Sequence, residues 1–334
     1  MKHQILGKQV RVVIDRALGS KHPTHDLVYP INYGYVEGIL GGDGEEQDVY
    51  ILGIDHPVTA FTGMIIAVVK RLDDVEEKWV AAPFGMQFTK EEIEQQLYFQ
   101  ECYFHHELIC LDNYPQRPQA VIFDMDGLMI DSERVTFEGY VIECEKRGYV
   151  MQESFYRNIL GLPRPSIYRV FREQFGEAFP IEEIIEKVHQ YMAMVFKTKG
   201  VPIKPGLIEL LTYLKQEGIK TMVATSSDRQ RVDTILSSAK LDGYFNDSIC
   251  GDEIKRGKPF PDVFLTACEK LGVSVEQAIV LEDSQAGIQA SYAAGIPVIC
   301  VPDMKQPDPE YVEKATFIMP SLYDILAYIK QLDA

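Results

Sequence analysis

AVIFDMDGLMIDSE, residues 120–133, decides how the second half of the chain folds. Four apolar residues, Ala120 to Phe123, run straight into Asp124-Met125-Asp126-Gly127. An uninterrupted apolar run this short reads as a strand buried on both faces, as in a parallel sheet. Ligands of open parallel sheets sit beyond the carboxyl ends of the strands. Residues two apart in extended backbone point to the same side, so Asp124 and Asp126 are expected to present two carboxylates together. Placing acids beside a hydrophobic strand is costly unless a cation or hydrogen bonds compensate, and this suggests a metal.

Outward from this stretch, further apolar runs at Thr221–Ala224, Ala278–Leu281 and Ile296–Val301 alternate with helical segments, the pattern of a parallel α/β sheet. From about 136 to 200 the rhythm breaks into helices without a strand. Ile181, Ile184, Ile185 and Val188 recur there at helical spacing, which predicts a helical insertion after the first strand. Upstream, the two prolines of Asn113-Tyr114-Pro115-Gln116-Arg117-Pro118 interrupt both periodicities and mark a connector. Domains are therefore expected at 1–113 and 114–334. The first reads as a small α+β unit with strands at Val10–Ile14, Val49–Leu52 and Met64–Val69, and a helix from Thr89 to about Leu108.

Three later segments match the acid pair. Thr225 and Ser226 follow a strand and offer hydroxyls and backbone N–H groups suited to a phosphate oxygen. Lys258 precedes Pro259, which can open a helix and leave the ammonium toward the crevice. Glu282-Asp283 closes another strand with two more acids. Each has an ordinary alternative: Asp-x-Asp, Thr225-Ser226 and Glu282-Asp283 are also good helix caps, and a lone lysine is usually a solvated charge. Their order along one strand–helix array favours the joint reading.

These four motifs, AVIFDMDGLMIDSE, VATSSDR (223–229), GKPFPDVF (257–264) and VLEDSQAGIQASYAAGIP (280–297), resemble the haloacid dehalogenase-like hydrolases, in the branch of β-phosphoglucomutase and small phosphosugar phosphatases. The resemblance implies a Rossmann-like sheet with a helical cap and a Mg²⁺-dependent reaction. It makes Asp124 the nucleophile and Asp126 the general acid and base, with Thr225 and Lys258 on the transferring phosphoryl group and Ser226 beside it. It implies Mg²⁺ on Asp124, the Asp126 backbone carbonyl and Asp283, with Glu282 bound directly or through water. Arg164, in Gly161-Leu162-Pro163-Arg164, resembles a cap-loop contact to substrate. Mutases of the branch carry a histidine where Thr136 stands and a lysine where Ala193 stands. A phosphatase acting on a small phosphorylated sugar or polyol is therefore expected, with a phosphosugar mutase as the alternative.

In the first domain, YPINYGYVEGILGGDGEEQD (29–48), with a weaker extension through RLDDVEEKWVAAP (71–83), resembles family I inorganic pyrophosphatases. That implies an OB-like β-barrel, with Tyr29 and Tyr33 at a phosphate site and Asp43, Glu45, Asp48, Asp73 and Glu76 as a carboxylate cage for Mg²⁺. Glu45 and Glu76 replace family aspartates, and Phe104 stands where a lysine is usual. An active pyrophosphatase and a remnant serving binding, regulation or oligomer assembly both stay open.

Composition narrows the partners. The 334 residues hold 50 Asp plus Glu against 33 Lys plus Arg, a formal charge of −17, which disfavours DNA or RNA. No apolar run reaches the ~18 residues of a membrane helix, and the start lacks a signal-peptide core. Six cysteines without a CxxC pair suit reduced thiols. The expectation is a cytoplasmic enzyme with a small-metabolite substrate, its homo-oligomerisation left open.

Overall fold

The computed structural model describes residues 3–22, 27–111, 115–162 and 164–332, without the side chain of residue 164. The chain forms two compact units, residues 1–117 together with 328–334, and residues 118–327. The sequence placed everything after residue 113 in the second domain. Residues from 328 on group with the first because Tyr328, 3% exposed, meets the Phe84 ring edge-on at 6.4 Å between centroids.

The first unit contains strands β1 (Gln9–Arg16), β2 (Asn32–Leu40), β3 (Glu46–Ile51), β4 (Ala60–Arg71), β5 (Glu77–Ala82) and β6 (His106–Cys110), with helix α1 (Lys90–Glu101). Strands β1-β2-β3-β5-β4 pair in that order and β4 returns to β1, closing a five-stranded barrel; β6 adds to β4. Val10 and Val12, and Val49 and Ile51, alternate into one core as the two-residue period of a strand requires, and a register shift between Ile65 and Ala67 brings Ile65 and Val68 to it as well. Helix α1 starts at a capping box, in which Thr89 Oγ1 accepts from the Glu92 N–H at 3.2 Å and Glu92 Oε2 accepts from the Thr89 N–H at 2.7 Å. The expected helix to about Leu108 is corrected: α1 ends at Glu101, and His106–Cys110 pairs with Ala67–Arg71. The long β4 leaves backbone groups beyond its pairing with β1, and β6 satisfies them.

The second unit is built on a parallel sheet. Its strands are β7 (Ala120–Phe123), β8 (Lys220–Ala224), β9 (Asp247–Ile249), β10 (Ala278–Glu282), β11 (Val298–Cys300) and β12 (Phe317–Ile318), ordered β12-β11-β10-β7-β8-β9. Around them run α2 (Ser132–Glu145), α3 (Glu153–Ile159), α4 (Arg164–Phe175), α5 (Ile181–Lys199), α6 (Leu207–Gln216), α7 (Arg229–Ser238), α8 (Asp262–Leu271), α9 (Gln285–Ala294), α10 (Pro309–Val312) and α11 (Leu322–Leu332). Ala120, Ile122, Met222 and Val280 pack on one face with Phe264 and Ala267 of α8 and Ile288 of α9. Val121, Phe123, Val223 and Leu281 on the opposite face are fully buried too. This two-sided burial is why these strands read as continuous apolar runs.

Helices α2 to α5 form the insertion, which begins at Ser132 rather than 136. The chain leaves and returns through paired backbone: the Lys204 N–H donates to Met129 O at 2.9 Å, and the Asp131 N–H to Pro202 O at 2.8 Å. The insertion has its own aromatic core, in which Phe171 stacks on Phe179 at 5.5 Å and Phe179 on Phe175 at 4.8 Å. Among the described residues no helix is long and apolar enough to cross a membrane. Phe171 is fully buried in that core, so Phe171→Ala should cost the insertion about 3–5 kcal/mol. Amide hydrogen exchange should read this as faster opening of α2 to α5, and unchanged exchange would show that the aromatic cluster does not hold them.

Candidate functional site

The carboxyl ends of β7, β8 and β10 lie side by side in the sheet and deliver their loop residues to one cavity of about 360 Å³. Asp124 follows β7, and its N–H donates to Leu281 O of β10 at 3.0 Å, which fixes the backbone as it leaves the strand. The chain then turns at Gly127, whose φ is +85°. A Cβ there would come within 2.1 Å of Asp283 Oδ2, so only glycine lets the β7 loop close against the β10 loop.

Lys258 sits among the acids. Its Nζ donates to Asp124 Oδ1 at 2.5 Å, Glu282 Oε1 at 2.6 Å and Ala224 O at 3.0 Å, with the side chain 5% exposed. Glu282 is fully buried, and its Oε2 accepts from the N–H groups of Asp283 and Ser284 at 3.0 and 2.9 Å and from Ser284 Oγ at 2.9 Å. The start of α9 lies so close that a Cβ on Gly287 would fall 1.8 Å from the Glu282 carboxylate. Asp124, Glu282 and Asp283 have ligand atoms within 4.8 Å of one another, the one such group of acids among the described residues.

Charge in this group does not balance. With all three carboxylates ionised, the one ammonium, bound to Asp124 and Glu282, would leave two negative charges uncompensated in a buried site. Burial pushes Asp124 up to about 8, with Lys258 pulling down and Glu282 pushing further up. Asp283 is raised well above the usual carboxylate range by burial, then by Glu282 and Asp124. Burial works against the Lys258 ammonium, yet Asp124 and Glu282 carry its pKa above the ordinary lysine value. The donors are hard oxygens and the excess charge is that of one divalent cation, so these residues fit Mg²⁺.

Asp126 is held differently. Its Oδ1 accepts from an Arg231 guanidinium nitrogen at 2.6 Å and its Oδ2 from Ser227 Oγ at 2.8 Å. Thr225 is buried and its Oγ1 accepts from the Ser227 N–H at 3.1 Å, while Ser226 is exposed at the cavity. None of these groups is the helix cap that the sequence allowed. The cap of α7 is Asp228 and that of α9 is Ser284, each accepting from a first-turn N–H at 2.8 and 3.1 Å, while α2 follows Asp131. Arg231 went unnoticed in the sequence and Ser227 read only as a hydroxyl suited to phosphate, since the sequence offers no signal for pairs formed across more than a hundred residues. Thr136 and Ala193 border a second, larger cavity of about 1080 Å³ beside Asp126. Arg164 begins α4, and its side chain lies outside the described residues.

The first unit does not gather its five expected ligands, and the cage is corrected accordingly. Asp48 and Glu76 converge, but on Lys78, whose Nζ donates to Asp48 Oδ2 at 2.5 Å, Glu76 Oε1 at 2.6 Å and Tyr33 Oη at 2.6 Å. Glu76 also accepts from Arg71, which is bound to the buried Glu101 at 2.8 Å. Burial raises Asp48, but Lys78 outweighs it and holds the carboxyl below the usual range. Asp43 Oδ1 accepts from the Glu45 N–H at 3.0 Å in a hairpin turn, and Asp73 Oδ2 accepts from the His105 N–H at 3.1 Å. Internal cations hold Asp48 and Glu76, a hairpin turn holds Asp43, and the distant His105 backbone holds Asp73.

Known proteins correspond to the second unit. The model of the haloacid dehalogenase-like hydrolase family matches residues 121–301, more than half of the chain. A phosphorylated carbohydrates phosphatase of Thermotoga maritima is 34% identical over 178 residues, covering 53% of this chain and 82% of that protein. The validoxylamine A 7'-phosphate phosphatase of Streptomyces hygroscopicus is 30% identical over 207 residues, covering 62% of this chain and 95% of that one. A solved Thermotoga maritima structure, provisionally described as a β-phosphoglucomutase, superimposes with a TM-score of 0.54 at 31% identity, covering 63% of this chain and 98% of that one. With the matched segment spanning β7 to β11 and every strand end that lines the smaller cavity, the chain belongs to the haloacid dehalogenase-like hydrolases.

Proposed function

We propose that the second unit is a Mg²⁺-dependent phosphoric monoester hydrolase that works through a phosphorylated Asp124 and takes a small sugar or polyol phosphate. The observation that carries this reading is the convergence of Asp124, Glu282 and Asp283, with ligand atoms within 4.8 Å of one another and a single lysine bound to only two of them. The names of the relatives, a phosphorylated carbohydrates phosphatase and a validoxylamine A 7'-phosphate phosphatase, support a small phosphomonoester, and the first of them a carbohydrate one.

In this reading Asp124, Asp283 and the Asp126 backbone carbonyl, with Glu282 directly or through water, would hold Mg²⁺, and the ion would offset the repulsion between an incoming phosphate and the acids. Two unit charges ~4 Å apart repel by roughly 4 kcal/mol at an effective dielectric near 20, and a dianion by about twice that. Lys258 and Thr225 orient the phosphoryl oxygens, with Ser226 at the cavity edge. An Asp124 oxygen attacks phosphorus, the bond to the leaving oxygen breaks, and Asp126 protonates that oxygen. Asp126 then takes a proton from water, whose oxygen attacks phosphorus and frees Asp124 as inorganic phosphate departs. Ser227 and Arg231 position Asp126 for both transfers. Thr136 and Ala193, neutral and short beside Asp126, supply no second acid–base group of the kind the mutase alternative calls for.

For the first unit we propose binding or assembly rather than pyrophosphate hydrolysis. Its likeness to the pyrophosphatases concerns a phosphate site, yet Lys78 and Arg71 already neutralise the acids that would take metal.

Asp124→Asn should lower phosphate release from sugar phosphates by roughly 10³-fold or more, and unchanged turnover would remove the nucleophile. That variant, offered pyrophosphate with Mg²⁺, should release no phosphate above the blank; release would make the first unit a pyrophosphatase. The acid cluster also fixes a pH dependence. Folded Asp124 and Asp283 keep protons that the unfolded chain gives up above about pH 4, so without metal their contribution to stability falls as pH rises from there to about 8. Calorimetry should therefore find metal-free Asp283→Asn more stable than wild type at pH 8, with the gap closed near pH 4. Added Mg²⁺ should raise the wild-type Tm more at pH 8 than at pH 5, and equal shifts would argue against these carboxylates as ligands.

A further inference from the structure

Two carboxylates at the cavity take no part in the nucleophile and metal group. Glu133, in the first turn of α2, borders both cavities and makes no ion pair among the described residues. Its Oε2 accepts from the hydroxyl of Tyr156 at 2.6 Å, and Tyr156 is 2% exposed in the aromatic core of the insertion, so the carboxylate is held in one orientation. Asp303 borders the smaller cavity with its side chain 5% exposed; Lys204 holds Oδ1 at 2.5 Å, and Oδ2 is buried with no hydrogen-bond partner.

A buried acceptor without a donor costs free energy that a ligand can recover. Neither oxygen can face a phosphate, because like charges repel. Both suit hydroxyl donors. The two ammonium groups that border this cavity already face acids: Lys258 meets Asp124 and Glu282, and Lys305 lies 3.6 Å from Asp308. Among the described residues, an anionic leaving group would therefore meet two carboxylates and no unengaged cation in this cavity.

Resting on the phosphatase reading, we infer that Glu133, positioned by Tyr156 and seconded by Asp303, selects an uncharged polyhydroxy leaving group by accepting hydrogen bonds from its hydroxyls. The phosphoryl end lies at Asp124 and Lys258, and the hydroxyl-bearing end lies at the root of the inserted helices. A site built to hydrogen-bond a hydroxyl penalises substrates that lack it far more than an apolar pocket penalises a missing methylene.

The test uses the full chain with Mg²⁺ and three probes: glucose 6-phosphate, glycerol 3-phosphate and p-nitrophenyl phosphate, whose leaving group has no other hydroxyl. Wild type should favour at least one polyol monophosphate. Glu133→Gln should lower its kcat/KM at least tenfold, mainly through KM, while the aryl phosphate changes less than threefold. Equal losses on all probes, or no loss on the polyol, overturn the inference. Should Glu133→Gln fail to fold, Tyr156→Phe carries the test: the polyol-to-aryl ratio of kcat/KM should fall threefold or more, and an unchanged ratio overturns the inference. A wild type that cleaves only the aryl phosphate overturns the inference and leaves the phosphatase reading standing, whereas no release from any phosphomonoester removes both.

Discussion

A single ammonium, that of Lys258, lets two strand ends carry three acids into a buried place without blowing the sheet apart. It touches Asp124 after β7, Ala224 O at the end of β8 and Glu282 at the end of β10, so it ties together the three strands whose ends form the cavity. A flexible lysine stem can do this because its charge is compact and carries three donors, all of them used here. The remaining imbalance is the useful part. A fully neutralised cluster would have no call for a divalent ion, and one without Lys258 would carry three adjacent charges that low-dielectric surroundings penalise heavily.

The two units show how differently the same ingredients behave. In the first, Lys78 of β5 stands two residues after Glu76, which lies just before that strand, and its ammonium reaches both Glu76 and Asp48 of the neighbouring β3. Arg71 couples Glu76 onward to Glu101 of α1. The result is a polar network on the face of the barrel strands opposite the apolar core, satisfied by its own cations. In the second, the charges that act most strongly on Asp283 are those of other acids. Acid content did not separate the two cases; the position of the cations did.

Much of the second unit was legible because two-sided burial writes a plain signal. Ala120–Phe123, Thr221–Ala224 and Ala278–Leu281 were readable as strands, and the acids at their ends follow from chain direction alone. Strands β9 and β12, of three and two residues, are too short to show a period. In the first unit, β2 and β5 were passed over and β6 was absorbed into a helix, since barrel closure depends on pairing between distant segments. The pairing of Asp126 with Arg231 and Ser227 was hidden for the same reason: topology makes those neighbours, while local sequence does not. The carboxylate cage misled because ligand types can be counted along a chain, whereas a lysine arriving between them cannot.

Residues from both ends of the chain belong to the first unit, with Tyr328 set against Phe84. During synthesis, therefore, the entire hydrolase unit emerges before the earlier barrel receives its last packing partners. The barrel must wait on the ribosome with an apolar place unfilled, and any message that stops short of the codon for Tyr328 damages the part of the protein that was made first.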